Sequence, residues 1–217
     1  MDKQRKKQPL FSSRYALYDF AKVTGALPVL AWCRPKILYE NEAARRHIRG
    51  GALLIANHSA MADPVFLMCV LWYRRHRFIC LKQFFEGKLR WLFTGFRCIP
   101  IDRENMGVDS FRLITECLQS GALVSMFPEG RVNVEDDNVA KFKSGMVLMA
   151  HRSGCPIVPV YMRPPKFPAK RLVAAVGEPL DVRALLGVRP SMKSINETAE
   201  LLQKKENELK RIVEESI

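Results

Sequence analysis

From residue 50 onward, short apolar runs rich in β-branched residues alternate with stretches whose apolar positions recur every three to four residues. The first pattern fits strands and the second fits helices, and their alternation marks an α/β domain. Strands are predicted at 52–57 (ALLIAN), 77–81 (RFICL), 96–102 (FRCIPID), 122–128 (ALVSMFP), 156–162 (PIVPVYM) and 171–177 (RLVAAVG). Helices are predicted from near Pro64, over 107–119 and over 143–153. The expected architecture is a single α/β domain with a largely buried mixed sheet flanked by helices, N-terminal amphipathic helices and a C-terminal helix.

Both ends of the chain carry a different pattern. Over 191–217, Ile195, Ala199, Leu202, Leu209 and Val213 fall at spacings of three, four or seven, with Glu200–Lys204 and Glu206–Lys210 pairs placed outside. This predicts an amphipathic terminal helix. Its repeat is short and Glu206 interrupts the seam, so packing on the sheet domain is expected rather than a coiled coil. At the other end a basic head, MDKQRKK, leads into apolar positions broken by Asp19, Lys22, Gly25 and Pro28. The uninterrupted run from Ala26 to Cys33 is far below the roughly 20 residues that span a bilayer. One or two short amphipathic helices are expected instead. Phe11, Tyr15, Tyr18, Lys22 and Trp32 suit a headgroup layer; the alternative is that the same helices pack on the domain's own core. The chain is thus divided into a membrane-associating segment 1–34, a main domain 35–190 and a packed terminal helix 191–217.

Composition adds one constraint. The 217 residues include 35 Lys and Arg against 22 Asp and Glu, a formal charge of +13, and a surface that basic attracts phosphate-bearing partners. The charge comes with no recognised nucleic-acid motif or aromatic platform, so nucleic acid is not an expected partner. Six cysteines are scattered without Cys-x-x-Cys or zinc-type spacing. No metal is expected, and a reduced, cytosolic compartment is the simplest reading.

Three short stretches at strand ends carry candidate chemistry. In LLIANHSAMADP (53–64), His58 directly follows a strand and Asp63 directly precedes Pro64. Asp63 can be a helix N-cap with proline at the first helical position. Alternatively the turn returns its carboxylate to the imidazole, fixing the tautomer. In MFPEGRVN (126–133), Glu129 and Gly130 stand at a turn, and Arg131 adds a planar donor fork suited to phosphate; ordinary turn chemistry accounts equally for Pro-Glu-Gly. In CIPIDRE (98–104), Arg103 emerges beside Asp102, where a plain exposed ion pair is the alternative.

Taken together and in order, these blocks resemble the glycerolipid acyltransferase family typified by 1-acyl-glycerol-3-phosphate acyltransferases. Asn57, His58 and Asp63 match its Asn-His-x-x-x-x-Asp motif, and Ile99, Ile101, Asp102 and Arg103 match its second block. Phe127, Pro128, Glu129 and Gly130 match Phe-Pro-Glu-Gly, FKSGMVLMA resembles a Phe-Lys-x-Gly helix start that includes Lys143, and CPIVPVYM resembles a later proline-containing strand. The resemblance covers roughly residues 35–180. Ala60 stands where the family often has serine, and Arg131 where it often has threonine.

The resemblance implies acyl transfer from a thioester, acyl-coenzyme A or acyl carrier protein, to a lysophospholipid hydroxyl, with no cofactor. It implies His58 and Asp63 as the catalytic pair, and Arg103, Glu129 and Gly130 as binders of the acceptor phosphate, with Arg131 as an added cation and Asn57 and Lys143 in support. The acceptor alcohol is itself the nucleophile, so no protein nucleophile is required; Ser59, next to His58, is the internal challenger. Peripheral or monotopic attachment to an anionic membrane surface, on its cytoplasmic side, is expected. QFFEGKLRWLFTGF (83–96), with aromatics among basic residues, is a second membrane-facing candidate. An acyl-thioester hydrolase and a non-catalytic basic lipid-binding protein are the alternatives.

Overall fold

A computed structural model describes residues 15–102, 107–130, 142–165 and 171–217. The strands are β1 (Lys36–Tyr39), β2 (Ala52–Ala56), β3 (His76–Leu81), β4 (Ile99–Ile101), β5 (Leu123–Met126), β6 (Ile157–Arg163) and β7 (Val173–Val176). The helices are α1 (Ala16–Ala21), α2 (Leu27–Cys33), α3 (Asp63–Val70), α4 (Arg90–Gly95), α5 (Val108–Gln119), α6 (Gly145–Ser153), α7 (Val182–Leu186) and α8 (Met192–Glu215). A π-helical turn, Lys22–Ala26, joins α1 to α2.

The strands form one mixed sheet in the order β1-β7-β6-β2-β5-β3-β4. β6, β2, β5, β3 and β4 run parallel, whereas β7 is antiparallel to β6 and β1 runs parallel to β7. All five residues of the central β2 are buried, because helices cover both faces of the sheet. Leu54 and Ala56 join a core with Phe66 and Leu67 of α3, Phe78, and Tyr18 and Cys33 from the N-terminal helices. Leu53 and Ile55 point the other way, into a core with Ile114 and Leu118 of α5, Met146 and Met149 of α6, and Leu202 of α8. Burying each such Leu, Ile or Phe contributes about 1.5–3 kcal/mol.

All six predicted strands are present, four of them shortened, while β3 starts one residue earlier and β6 is shifted by one residue. The stretch 96–102 narrows to three residues because Phe96 still caps α4 and Arg97 has a left-handed backbone, φ +55°. β1 was not predicted: it lies at the sheet edge, half-exposed, and its short KILY run lacks alternation.

The N-terminal helices have one face packed on the domain and one face exposed. Tyr18 is 1% exposed, and its hydroxyl accepts the His76 main-chain N–H at 2.9 Å. Asp19 pairs with Arg75 through two 2.7 Å bonds, and Tyr15 lies beneath the Arg75 and Arg97 guanidinium groups. Tyr18 is therefore a core residue, not a headgroup contact. Phe20, Val23, Leu27 and Trp32 face outward and are exposed. Phe11 lies outside the described residues.

α8 starts at a Ser191–Ser194 capping box and packs on β6 and β7. Its predicted stripe of Ile195, Ala199, Leu202, Leu209 and Val213 is buried. Glu206 is not on the outer face: it is fully buried within this stripe, and Lys210 approaches Glu214 instead.

Candidate active site

The parallel strands β2, β3, β4 and β5 share one carboxyl edge, the customary ligand edge of open α/β sheets. At the end of β2, the Asn57 side chain grips the main chain of β6. Its Nδ2 donates to the Met162 carbonyl at 2.9 Å and its Oδ1 accepts the Met162 N–H at 2.7 Å. On the other side, the turn after β5 supports the next residue. Phe127 stacks on the His58 ring at 4.2 Å between centroids, and the Glu129 carboxylate accepts the His58 main-chain N–H at 3.2 Å. The central strand's end is thus held from both neighbouring strands.

Asp63 is the first residue of α3, but the N-cap is Ala62, and no side chain caps that helix end. The N-cap alternative is therefore not realised. Asp63 turns back instead: one oxygen, Oδ2, accepts the main-chain N–H groups of Ser59 (2.6 Å) and Ala60 (2.8 Å) and lies 3.0 Å from His58 Nδ1. An ionised carboxylate only accepts, so Nδ1 carries the ring proton and Nε2 presents the lone pair. The His58 side chain is 16% exposed and that of Asp63 1%. Ser59 Oγ is buried without a hydrogen-bond partner among the described residues. It is not bonded to the imidazole, which removes the arrangement an activated serine needs.

Gly130 has φ +71°, a conformation that favours glycine, and the Lys143 ammonium lies 3.7 Å from where a Cβ would stand. Asn57, His58, Asp63, Phe127, Glu129, Gly130 and Lys143 thus gather along the ends of β2 and β5. Arg103 and Arg131 lie outside the described residues. β4, the strand leading toward Arg103, ends on this same edge. Among the described residues no cluster of three His, Cys, Asp or Glu side chains could hold a metal ion.

Glu206 was missed as a neighbour of this site. Burial pushes its carboxyl well above the ordinary range, the Glu129 charge adds to the effect, and the Asn57 main-chain amide opposes it. The available signal was its position: four residues after Leu202 and three before Leu209, it continues the apolar stripe rather than the polar face.

A sheet edge carrying a braced His–Asp pair with an open imidazole nitrogen suits proton transfer to or from a bound substrate. The sequence model of the family described as Acyltransferase matches residues 36–163, more than half of the chain, and the protein belongs to that family. The chain is 29% identical over 168 residues to a 1-acyl-sn-glycerol-3-phosphate acyltransferase of Bacillus subtilis (strain 168), covering 73% of this chain and 81% of that one. It is 28% identical over 116 residues to a probable 1-acyl-sn-glycerol-3-phosphate acyltransferase of Mycoplasma pneumoniae, covering 50% of this chain and 42% of that one. The fold is similar to the crystal structure of PlsC, the 1-acyl-sn-glycerophosphate (LPA) acyltransferase of Thermotoga maritima. That likeness has a TM-score of 0.65 at 18% identity and covers 93% of this chain and 84% of the other.

Proposed function

We propose that this acyltransferase moves a fatty acyl group from a thioester, on coenzyme A or acyl carrier protein, to the free hydroxyl of 1-acyl-glycerol-3-phosphate, giving phosphatidate for phospholipid synthesis. The observation that carries the chemistry is the 3.0 Å approach of Asp63 Oδ2 to His58 Nδ1. His58 Nε2 takes the acceptor's hydroxyl proton as its oxygen attacks the thioester carbonyl. The tetrahedral intermediate then expels the thiolate, and the imidazolium returns the proton to sulfur. Asp63 holds the ring and stabilises its charged form between the two steps. The choice of acceptor is supported by the names of the two curated relatives and by the net charge of +13.

Lys143 and the Gly130 turn are proposed to face the acceptor phosphate, with Arg103 and Arg131 supplying further cations. Glu129 enters as the brace of His58 rather than as a phosphate contact, since an ionised carboxylate offers phosphate no donor. Binding at the phosphate would orient the hydroxyl over Nε2. The test is product analysis with lysophosphatidate, glycerol 3-phosphate and lysophosphatidylglycerol, each offered with both thioester donors. Phosphatidate from lysophosphatidate is expected as the main product. Release of free fatty acid alone, or preferred acylation of another acceptor, would refute the assignment.

The same enzyme is proposed to work peripherally or monotopically at the cytoplasmic face of an anionic membrane. No helix among the described residues is long and apolar enough to cross a bilayer. Phe20, Val23, Leu27 and Trp32 are exposed on the N-terminal helices, and Trp72 and Trp91 are exposed elsewhere on the domain. Lys22 lies over the Trp72 ring at 5.7 Å, and Lys88 and Arg90 lie within the second aromatic stretch, between Phe85 and Trp91. This pairing of aromatics with basic groups suits a headgroup layer. Replacing Phe20, Leu27 and Trp32 with serine should reduce co-sedimentation with anionic vesicles while sparing turnover on a soluble short-chain acceptor. Unchanged co-sedimentation would reject this face as the contact.

A further inference from the structure

The catalytic edge of the sheet continues past His58 on the side away from β5. β6 runs parallel to β2 and ends on this edge; β7 is antiparallel to β6 and β1 parallel to β7, so both begin there. Each of these strand ends carries an arginine: Arg163 closes β6, Arg171 precedes β7, and Arg34 lies in the turn between α2 and β1. Main-chain pairing holds the three segments together. Val173 stands opposite both Arg163 and Lys36 in the register. Leu172 donates to the Cys33 carbonyl and accepts the Lys36 N–H, each at 2.8 Å, so the turn carrying Arg34 wraps around Leu172. All three arginines are exposed, and none forms an ion pair or side-chain hydrogen bond among the described residues. Arg34 has φ +39°, a conformation that glycine would adopt without strain, yet an arginine stands there. The nearby end of α8 does not account for the cluster. Its Ser216 carbonyl already receives the Lys36 ammonium at 2.7 Å, and Glu214 approaches Lys210 at 3.8 Å.

We propose that Arg34, Arg163 and Arg171 form the binding site for the phosphates of an acyl-coenzyme A donor, across His58 from the acceptor phosphate. Arg163 is one residue beyond Met162, whose main chain is gripped by Asn57, the neighbour of His58. The corner is therefore tied directly to the catalytic turn. In the sheet order, β6, β7 and β1 lie on one side of β2, and β5, β3 and β4, which lead to the acceptor side, lie on the other. Two phosphate-bearing substrates then reach one imidazole without competing for the same cations. Coenzyme A carries a diphosphate and a ribose phosphate, a compact set of charges that suits three guanidinium forks in one corner. Acyl carrier protein offers only a single phosphodiester together with an acidic protein surface.

This site rests on the acyl-transfer reading above, and the test separates the two. Wild type and the double variant Arg163→Ala/Arg171→Ala are compared with acyl-coenzyme A and with acyl-pantetheine, which carries the same thioester but no phosphate. Lysophosphatidate is the acceptor. Wild type should prefer acyl-coenzyme A by at least about tenfold in kcat/KM, and the variant should lose most of that preference through a raised donor KM. Its rate with acyl-pantetheine, its acceptor KM, its melting temperature and its co-sedimentation with anionic vesicles should stay near wild type. A wild type without the preference, or a preference that survives the substitutions, would overturn the proposal. So would a loss that follows the acceptor KM or vesicle binding, which would assign the arginines to the acceptor or to lipid headgroups. A loss confined to acyl carrier protein as donor, or one explained by a lower melting temperature, overturns it equally. Absence of acyl transfer from every donor in wild type would instead reject the proposed function. In that case calorimetry with free coenzyme A decides: binding by wild type that weakens at least about tenfold in the variant supports the site, and equal binding or none overturns it.

Discussion

The turn after β2 and the inner stripe of α8 each bury a carboxyl group, and they treat it in opposite ways. Asp63 is 1% exposed but receives two main-chain N–H groups and the His58 ring on a single oxygen. Glu206 is 0% exposed in the apolar stripe, and only the Asn57 main-chain amide opposes the rise that burial gives its pKa. Donors decide which form a buried carboxyl adopts: surrounded by them it can serve as an anion, and without them it is cheapest as the neutral acid. One fold thus uses one buried carboxyl group to hold the His58 ring and keeps another in an apolar stripe where burial disfavours its charged form.

The largest test of this contrast removes the ring that Asp63 holds. His58→Ala should lower kcat/KM on the order of 10²–10⁴-fold, as loss of a general base does. The melting temperature should move little, because the ring is partly exposed and its polar tie is to Asp63. Near-normal turnover would break the dyad. Asp63→Asn should approach the same kinetic loss, because the amide can turn its NH₂ toward Nδ1 and favour the wrong tautomer. It should also cost about 1–3 kcal/mol in chemical denaturation, as hydrogen bonds to a charged acceptor are weakened. An active Asp63→Asn enzyme would reduce Asp63 to a loop staple.

A smaller effect sharpens the other half of the contrast. The folded-state pKa of Glu206 is raised above its ordinary value of 4.5, so the folded protein holds this proton over a range where the unfolded chain has lost it. The stability contributed by the neutral acid is present in full below about pH 4.5 and is lost as pH rises toward the folded value. Glu206→Gln has no such dependence. Its stability relative to wild type should therefore grow with pH, at no more than about 1.4 kcal/mol per pH unit. Denaturant unfolding at pH 5, 6.5 and 8 measures this, and a difference that stays flat would mean that Glu206 ionises in the fold. Ser59→Ala should give the smallest change of all. The Ser59 contact with Asp63 is made by its main-chain N–H, which alanine keeps, so kcat within about twofold of wild type is expected.

The strands of the sheet were legible because burial on both faces leaves continuous apolar runs such as ALLIA and IVPV, bounded by turn residues. β1 was not, since a four-residue edge strand with partial exposure has no such run. At the site, the order of the blocks picked out Asn57, His58, Asp63 and Glu129, but spacing alone left Asp63 between helix cap and ring partner. Both uses put an aspartate before Pro64; only the path of residues 58–62, which folds Ser59 and Ala60 onto the carboxylate, separates them. Glu206 was illegible for a different reason. A glutamate at a stripe position ordinarily marks the edge of a helix's buried face, so its spacing was visible but its complete burial against the sheet was not. The expected phosphate contacts Arg103 and Arg131 lie outside the described residues.

The central claim is that the acceptor's own hydroxyl is the nucleophile on which His58 acts. It is tested most directly by mixing the enzyme with acyl-coenzyme A in the absence of any acceptor and following free thiol release and acylated protein by rapid quench. A direct transfer predicts no burst of thiol and no acyl-protein until lysophosphatidate is added, after which thiol and phosphatidate should appear in equal amounts. A burst of thiol equal to the enzyme concentration without acceptor, with the acyl group recovered on Ser59 or a cysteine, would contradict it.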